Sequence, residues 1–164
     1  VTPRATSARG RLPEVVTEVV RETQKTGAPG SGSGSHRPKR PSVTELDGRR
    51  ILVVDDQPAM RATMAVLLRS LGAEVEIAAS GGEALKRCAH PPPFDAVLLD
   101  AHMPGLDGFA LARLLRAAHP GTRLVLCTGA DEDAVRRALA SGQVQCAVRK
   151  PFDVPELVAA LAPR

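Results

Sequence analysis

From Arg50 onward the sequence alternates repeatedly between a short apolar run and a longer stretch with helical apolar spacing. ILVVDD, EVEIAA, DAVLLD, RLVLCT and CAVRK read as five strands. PAMRATMAVLLRSLG, GGEALKRCAH, DGFALARLLRAAHP, EDAVRRALASG and VPELVAALA read as the helices that follow them. Strands separated by helices pair in parallel through right-handed crossovers, with helices on both faces of the sheet. The expected fold is therefore α/β, a doubly wound five-stranded parallel sheet, and its central runs are apolar on both faces as such a sheet requires. Gly72 and Gly142 sit where helix C-termini need a left-handed residue, and Asp131 is placed to cap the helix that follows it.

The first fifty residues differ. GAPGSGSGSHRPKRP, from Gly27 to Pro41, is too poor in apolar surface to offset its ordering entropy and reads as a flexible linker. Before it, Leu12, Val15, Val16, Val19 and Val20 form one helical stripe, enough for a short amphipathic helix that would be marginal alone. The expected division is 1–26 as a short segment with a possible helix, 27–48 as a basic linker and 49–164 as the folded domain. Net charge follows the same boundary. Residues 1–50 hold ten Lys/Arg and five Asp/Glu, leaving twelve and thirteen for the rest, so +5 lies in the first part and −1 in the second.

Composition excludes several functions. With no Trp or Tyr and three Phe, base-stacking platforms are missing, and no recognition helix accompanies the basic segment. Only weak, salt-sensitive, non-specific nucleic-acid binding is expected from it. No apolar run is long enough to span a bilayer and no signal stretch opens the chain, so the expected location is cytoplasmic, without membrane contact. Cys88, Cys127 and Cys146 lack the spacing of a zinc site and read as reduced, packed thiols.

In open parallel sheets, chemistry collects at the carboxyl ends of the strands. Asp55 and Asp56 follow the first run, Asp100 the third, Thr128 the fourth and Lys150 the fifth. In a 2-1-3-4-5 strand order these residues converge on one pocket edge. Three carboxylates there repel one another by ~4 kcal/mol per pair at about 4 Å and an effective dielectric near 20. A cation is needed, and carboxylates with water suit Mg²⁺, whereas no EF-hand ligand series points to calcium. With the Lys150 ammonium also lowering the negative potential, one carboxylate can attack phosphorus and form an acyl phosphate. Phosphoryl transfer needs mainly alignment and charge compensation.

VVDDQP, LLDAHMPGLDGFAL, LCTGA and VRKPF, in this order across residues 50 to 162, resemble the receiver domain of two-component response regulators, with its flavodoxin-like fold. The resemblance implies that Asp100 accepts a phosphoryl group from a histidine kinase or histidine phosphotransfer protein. It implies that Asp56 ligates Mg²⁺ directly, that Asp55 does so through water or hydrogen bonding, and that the His102 carbonyl completes the shell around a metal also held by Asp100. Thr128 and Lys150 would contact the phosphoryl oxygens. The resemblance further implies a cis Lys150–Pro151 bond and a partner-specificity surface along Pro58 to Ser70. It implies self-phosphorylation and slow dephosphorylation without a separate turnover activity.

One position departs from the pattern: Ala147 stands where the family often has Tyr or Phe, so an aromatic rotamer switch is not available there. This leaves open a phosphorylation-independent interaction module. A haloacid-dehalogenase type of Asp-nucleophile phosphatase would instead need D-x-D after the first strand. With no output domain read after the last helix, two origins are expected: a free-standing receiver, or the C-terminal receiver of a hybrid kinase, which ELDGRRILVVDD favours.

Overall fold

The computed structural model describes residues 46–129 and 132–163. The stripe at Leu12–Val20, residues 27–45 of the expected 27–48 linker and the capping role of Asp131 lie outside the described residues.

Strands β1 (Arg50–Val54), β2 (Glu74–Ala78), β3 (Ala96–Asp100), β4 (Arg123–Thr128) and β5 (Cys146–Arg149) form one parallel sheet in the order β2-β1-β3-β4-β5. Helices α1 (Pro58–Ser70), α2 (Gly81–Cys88), α3 (Gly108–Ala118), α4 (Glu132–Ala140) and α5 (Val154–Leu161) follow the strands in turn. The expected architecture and strand order are both present.

Strand alternation divides the core into two layers. Ile51, Val53, Leu98, Val125, Cys127 and Val148 pack with α1 and α5 through Met64, Leu68, Leu157 and Leu161. Leu52, Val54, Val97, Leu99, Leu124 and Leu126 pack with α2, α3 and α4 through Ala84, Leu111, Leu115 and Ala138. Because both faces of β1, β3 and β4 are covered, these runs carry consecutive apolar residues instead of an apolar–polar alternation.

Helix starts and stops follow local chemistry. Ser80, Asp107 and Asp153 accept the backbone N–H of Glu83, Ala110 and Glu156, and Glu83 reaches back to the N–H of Ala79. Gly72 and Gly142 have φ of 93° and 72°, the left-handed conformation expected of them. A chain of ion pairs runs across the sheet edge: Arg50 to Glu76 (2.8 Å), Glu76 to Arg87 (3.2 Å) and Arg87 to Glu83 (2.7 Å). The Arg50 guanidinium also lies over the Phe94 ring and donates to the carbonyls of Pro92 and Pro93, fastening the loop before β3.

Burial pushes the Cys127 thiol up to about 12, against a smaller opposing pull from Lys150, and burial with the Glu76 charge pushes Cys88 up to about 11. Cys146 is half-buried on an edge strand. Iodoacetamide near neutral pH is expected to alkylate the native chain at Cys146 alone and the guanidinium-unfolded chain at all three sites, read by peptide mass spectrometry.

Candidate functional site

The sheet register sets the site. Asp55 directly follows β1, and its N–H donates to the Ala78 carbonyl at the end of β2. Asp100 ends β3 and pairs in register with Cys127, so Thr128, ending β4, lies one residue beyond the level of Asp100 on the neighbouring strand. The Lys150 N–H donates to the Thr128 carbonyl and brings the end of β5 alongside. The Lys150–Pro151 bond is cis, as expected.

Carboxylate oxygens of Asp55, Asp56 and Asp100 all lie within 4.8 Å of one another. Asp55 and Asp100 are buried, at 4% and 6% exposure, and Asp56 is half-buried. One Asp55 oxygen accepts the Gln57 N–H at 2.8 Å. The Lys150 ammonium reaches Asp100 at 3.1 Å and the other Asp55 oxygen at 3.4 Å. Burial by itself would lower the pKa of Lys150, but its hydrogen bond to Asp100 and the charges of Asp100 and Asp55 outweigh that and hold it above the ordinary lysine value.

One ammonium among three carboxylates leaves two formal negative charges at this edge. Two buried atoms here, Asp56 Oδ1 and Thr128 Oγ1, have no hydrogen-bond partner among the described residues. A hard divalent cation and an anion beside it would satisfy the charge, the orphaned carboxylate oxygen and the orphaned hydroxyl, so the residues present fit Mg²⁺ and a phosphoryl group. Asp55, Asp56, Asp100 and Lys150 are thus brought together, with Thr128 on the adjoining strand end. His102 lies exposed in the loop after β3, two residues beyond Asp100.

A sequence model of the response regulator receiver domain matches residues 51–162. The chain belongs to the response regulator receiver family. Among its relatives, the response regulator MprA of a Mycobacterium species is 39% identical over 110 residues, covering 67% of this chain and 47% of that protein. The virulence sensor protein BvgS of Bordetella bronchiseptica is 35% identical over 150 residues, covering 87% of this chain and 12% of that one. The chain spans less than half the length of these curated relatives. Among solved structures, the response regulator protein TrrA of Thermotoga maritima, in complex with Mg²⁺ and a beryllium fluoride, is 34% identical with a TM-score of 0.61, covering 69% of this chain and 98% of that one. As a receiver, this domain is a module of two-component phosphorelay signalling.

Two positioning residues escape a reading of the sequence. Arg61, on the first turn of α1, donates to the Asp55 carbonyl at 2.5 Å and ties the acidic loop to the helix. Gly108 opens α3 against the backbone of Asp100: a Cβ there would lie 2.2 Å from the Asp100 carbonyl oxygen and 2.9 Å from Ala101 Cα. Glycine in a first helical turn, where alanine is the better helix former, is the signal that could have found it.

Gly108→Ala must displace the backbone of Asp100. It is expected to lower stability by about 1–3 kcal/mol and to reduce Asp100 phosphorylation markedly, measured by denaturant unfolding and intact mass. Gly82→Ala, in open space on α2, is expected to leave phosphorylation unchanged and stability equal or up to about 1 kcal/mol higher.

Proposed function

We propose that Asp100 takes a phosphoryl group from the phosphohistidine of a histidine kinase or histidine phosphotransfer protein in an Mg²⁺-dependent reaction, and that phosphorylation alters partner binding. The observation that carries this reading is the convergence of three carboxylates and one ammonium at adjacent strand ends, with a buried carboxylate oxygen and a buried hydroxyl lacking partners.

In this mechanism an Asp100 carboxylate oxygen bonds to phosphorus while the bond from phosphorus to the imidazole nitrogen breaks. The histidine leaves as neutral imidazole after taking up a proton. Asp56, Asp100 and the His102 carbonyl would hold Mg²⁺ directly, with Asp55 acting through water. When bound, Mg²⁺ supplies positive charge against the phosphoryl oxygens. Lys150 keeps its ammonium against Asp100, donates to a phosphoryl oxygen and compensates developing charge; Thr128 donates its hydroxyl to another. Attack of water on phosphorus later returns the carboxylate and inorganic phosphate. Asp100 and Asp55 are buried, and His102, exposed two residues after Asp100, would border the phosphoryl group.

Three unpaired cysteines suit a reducing compartment, and the proposed location is cytoplasmic. Among the described residues no helix is long and apolar enough to cross a membrane. Ala147 supports a second reading, a receiver fold that works by binding alone, because no ring stands there to report on Thr128. The intact acidic cluster and Lys150 favour the phosphoacceptor.

Incubation with acetyl phosphate is expected to add one phosphoryl group, read by intact-mass spectrometry, only when Mg²⁺ is present. Asp100→Asn should give none, and Lys150→Met should react roughly a hundredfold more slowly. An adduct on Asp100→Asn would overturn Asp100 as the acceptor, and none on the parent chain under any condition would overturn the reading in favour of the binding module. His102→Ala is expected to change the lifetime of the aspartyl phosphate, followed by phosphate release; identical lifetimes would limit His102 to its backbone carbonyl.

A further inference from the structure

The opposite end of the sheet carries a second charged recess. Arg49 and Asp95 stand just before β1 and β3, Arg123 opens β4 and Gln145 precedes β5, so the amino ends of four adjacent strands share one rim. Together with His119 and Pro120 of the loop between α3 and β4, they line a cavity of about 790 Å³. Asp95 and Asp100 flank the length of β3, so roughly 16 Å separates this recess from the acidic edge.

Hydrogen bonds fix its walls from behind. The Thr122 hydroxyl donates to the Phe94 carbonyl at 2.9 Å, Arg116 donates to the Pro120 carbonyl at 2.7 Å, and the Gln145 side-chain oxygen accepts the Leu124 N–H at 2.7 Å. The cations on the rim are left without counter-charges. Arg49 Nε is buried with no hydrogen-bond partner among the described residues, and Arg123 donates from Nε to a carbonyl, that of Ala160, at 2.5 Å. Neither arginine has an ion-pair partner among the described residues. Among those residues Asp95 is the one carboxylate lining the cavity, and one of its oxygens accepts the Arg50 N–H at 2.8 Å. Pro93, Phe94 and Pro163 add apolar surface to the wall.

We propose that this recess binds a free small-molecule phosphate monoester, its phosphate held by Arg49 and Arg123 and its body set against the proline-lined wall. Guanidiniums donate in forks that match phosphate oxygens, and two of them against a single, already engaged carboxylate favour a dianion over a monocarboxylate. His119 offers a ring nitrogen to a further oxygen. The buried Arg49 Nε would find there the acceptor it lacks. The volume lies within the range of small-ligand pockets, about 300–1,000 Å³, and walls already fixed cost little to order on binding. None of Asp55, Asp56, Asp100, Thr128 and Lys150 lines the recess, so this inference goes beyond the phosphoacceptor reading.

The test is titration of the isotope-labelled full chain with phenyl phosphate, inorganic phosphate and benzoate in Mg²⁺-free buffer, followed through backbone amide resonances by NMR. Phenyl phosphate is expected to shift the amides of Gly121, Thr122, Arg123 and Gln145 and to bind about tenfold or more tightly than either comparator. Arg49→Met keeps the aliphatic stem and removes the guanidinium. Gly121→Glu adds a carboxylate at the cavity wall, at a position where a Cβ meets nothing within 4 Å. Each substitution should weaken phenyl phosphate by about tenfold or more, and thermal unfolding confirms that each variant is folded. Shifts confined to other amides, equal affinity in the parent chain and both variants, or benzoate bound as tightly as phenyl phosphate would overturn the proposal. So would sedimentation of the parent chain, but not of Arg49→Met, with phosphatidylcholine–phosphatidic acid vesicles when phenyl phosphate causes no shift, since the site would then belong to a membrane lipid. Neither Mg²⁺ nor a phosphodonor enters the experiment, so its failure leaves the phosphoacceptor reading untouched.

Discussion

The crowding of three carboxylates at one edge of a parallel sheet governs the rest of this domain. Like charges within 4.8 Å would separate if the backbone let them, and the backbone does not. Asp100 is the last residue of a fully buried strand, and Asp55 is tied by its N–H to β2, by its carbonyl to Arg61 and by its carboxylate to Gln57 and Lys150. The two apolar layers hold the strands in register, and that register keeps the acids together. Stability and chemistry are therefore coupled: the unfavourable charge arrangement persists because the core over-determines it, and a bound cation would relieve it.

Most of this arrangement is legible in the amino-acid sequence. Apolar runs at regular spacing imply parallel strands, and the rule that chemistry gathers at strand ends leads to Asp55, Asp56, Asp100, Thr128 and Lys150. The left-handed glycines are readable from local patterns, and the cis proline from the resemblance to the receiver family. What escapes depends on approach between residues distant in sequence or on shape. The order of letters marks Gly108 only as a glycine in a first helical turn, and nothing in it says that Arg61 folds back onto Asp55 or that Arg50 gathers Glu76, Phe94 and the proline loop. Ala147 stands out in the sequence as a missing ring, whereas the groove it leaves needs the placement of Val135 and Leu139.

That groove bears on how a receiver of this composition would communicate. With no aromatic side chain at position 147, information about Thr128 has no ring to carry it across β5. Within the described residues, movement of Thr128 with its loop is a route that needs no ring at position 147. Helix α4 leaves room for such movement, since Ala138 is its one fully buried side chain among the described residues and the ion pairs Arg149–Glu132 and Arg136–Asp133 are exposed. A weakly anchored helix next to a buried, tightly constrained acidic site is the kind of two-state element through which local chemistry can bias binding.

The most direct test of the account is a crystal structure of the domain grown with Mg²⁺ and beryllofluoride, a mimic of the phosphoryl group. The account predicts beryllium on an Asp100 carboxylate oxygen, the metal among Asp55, Asp56 and Asp100, and Lys150 and Thr128 each turned to a fluorine. A structure in which beryllofluoride does not attach to Asp100, or in which Mg²⁺ settles away from the three carboxylates, would contradict it.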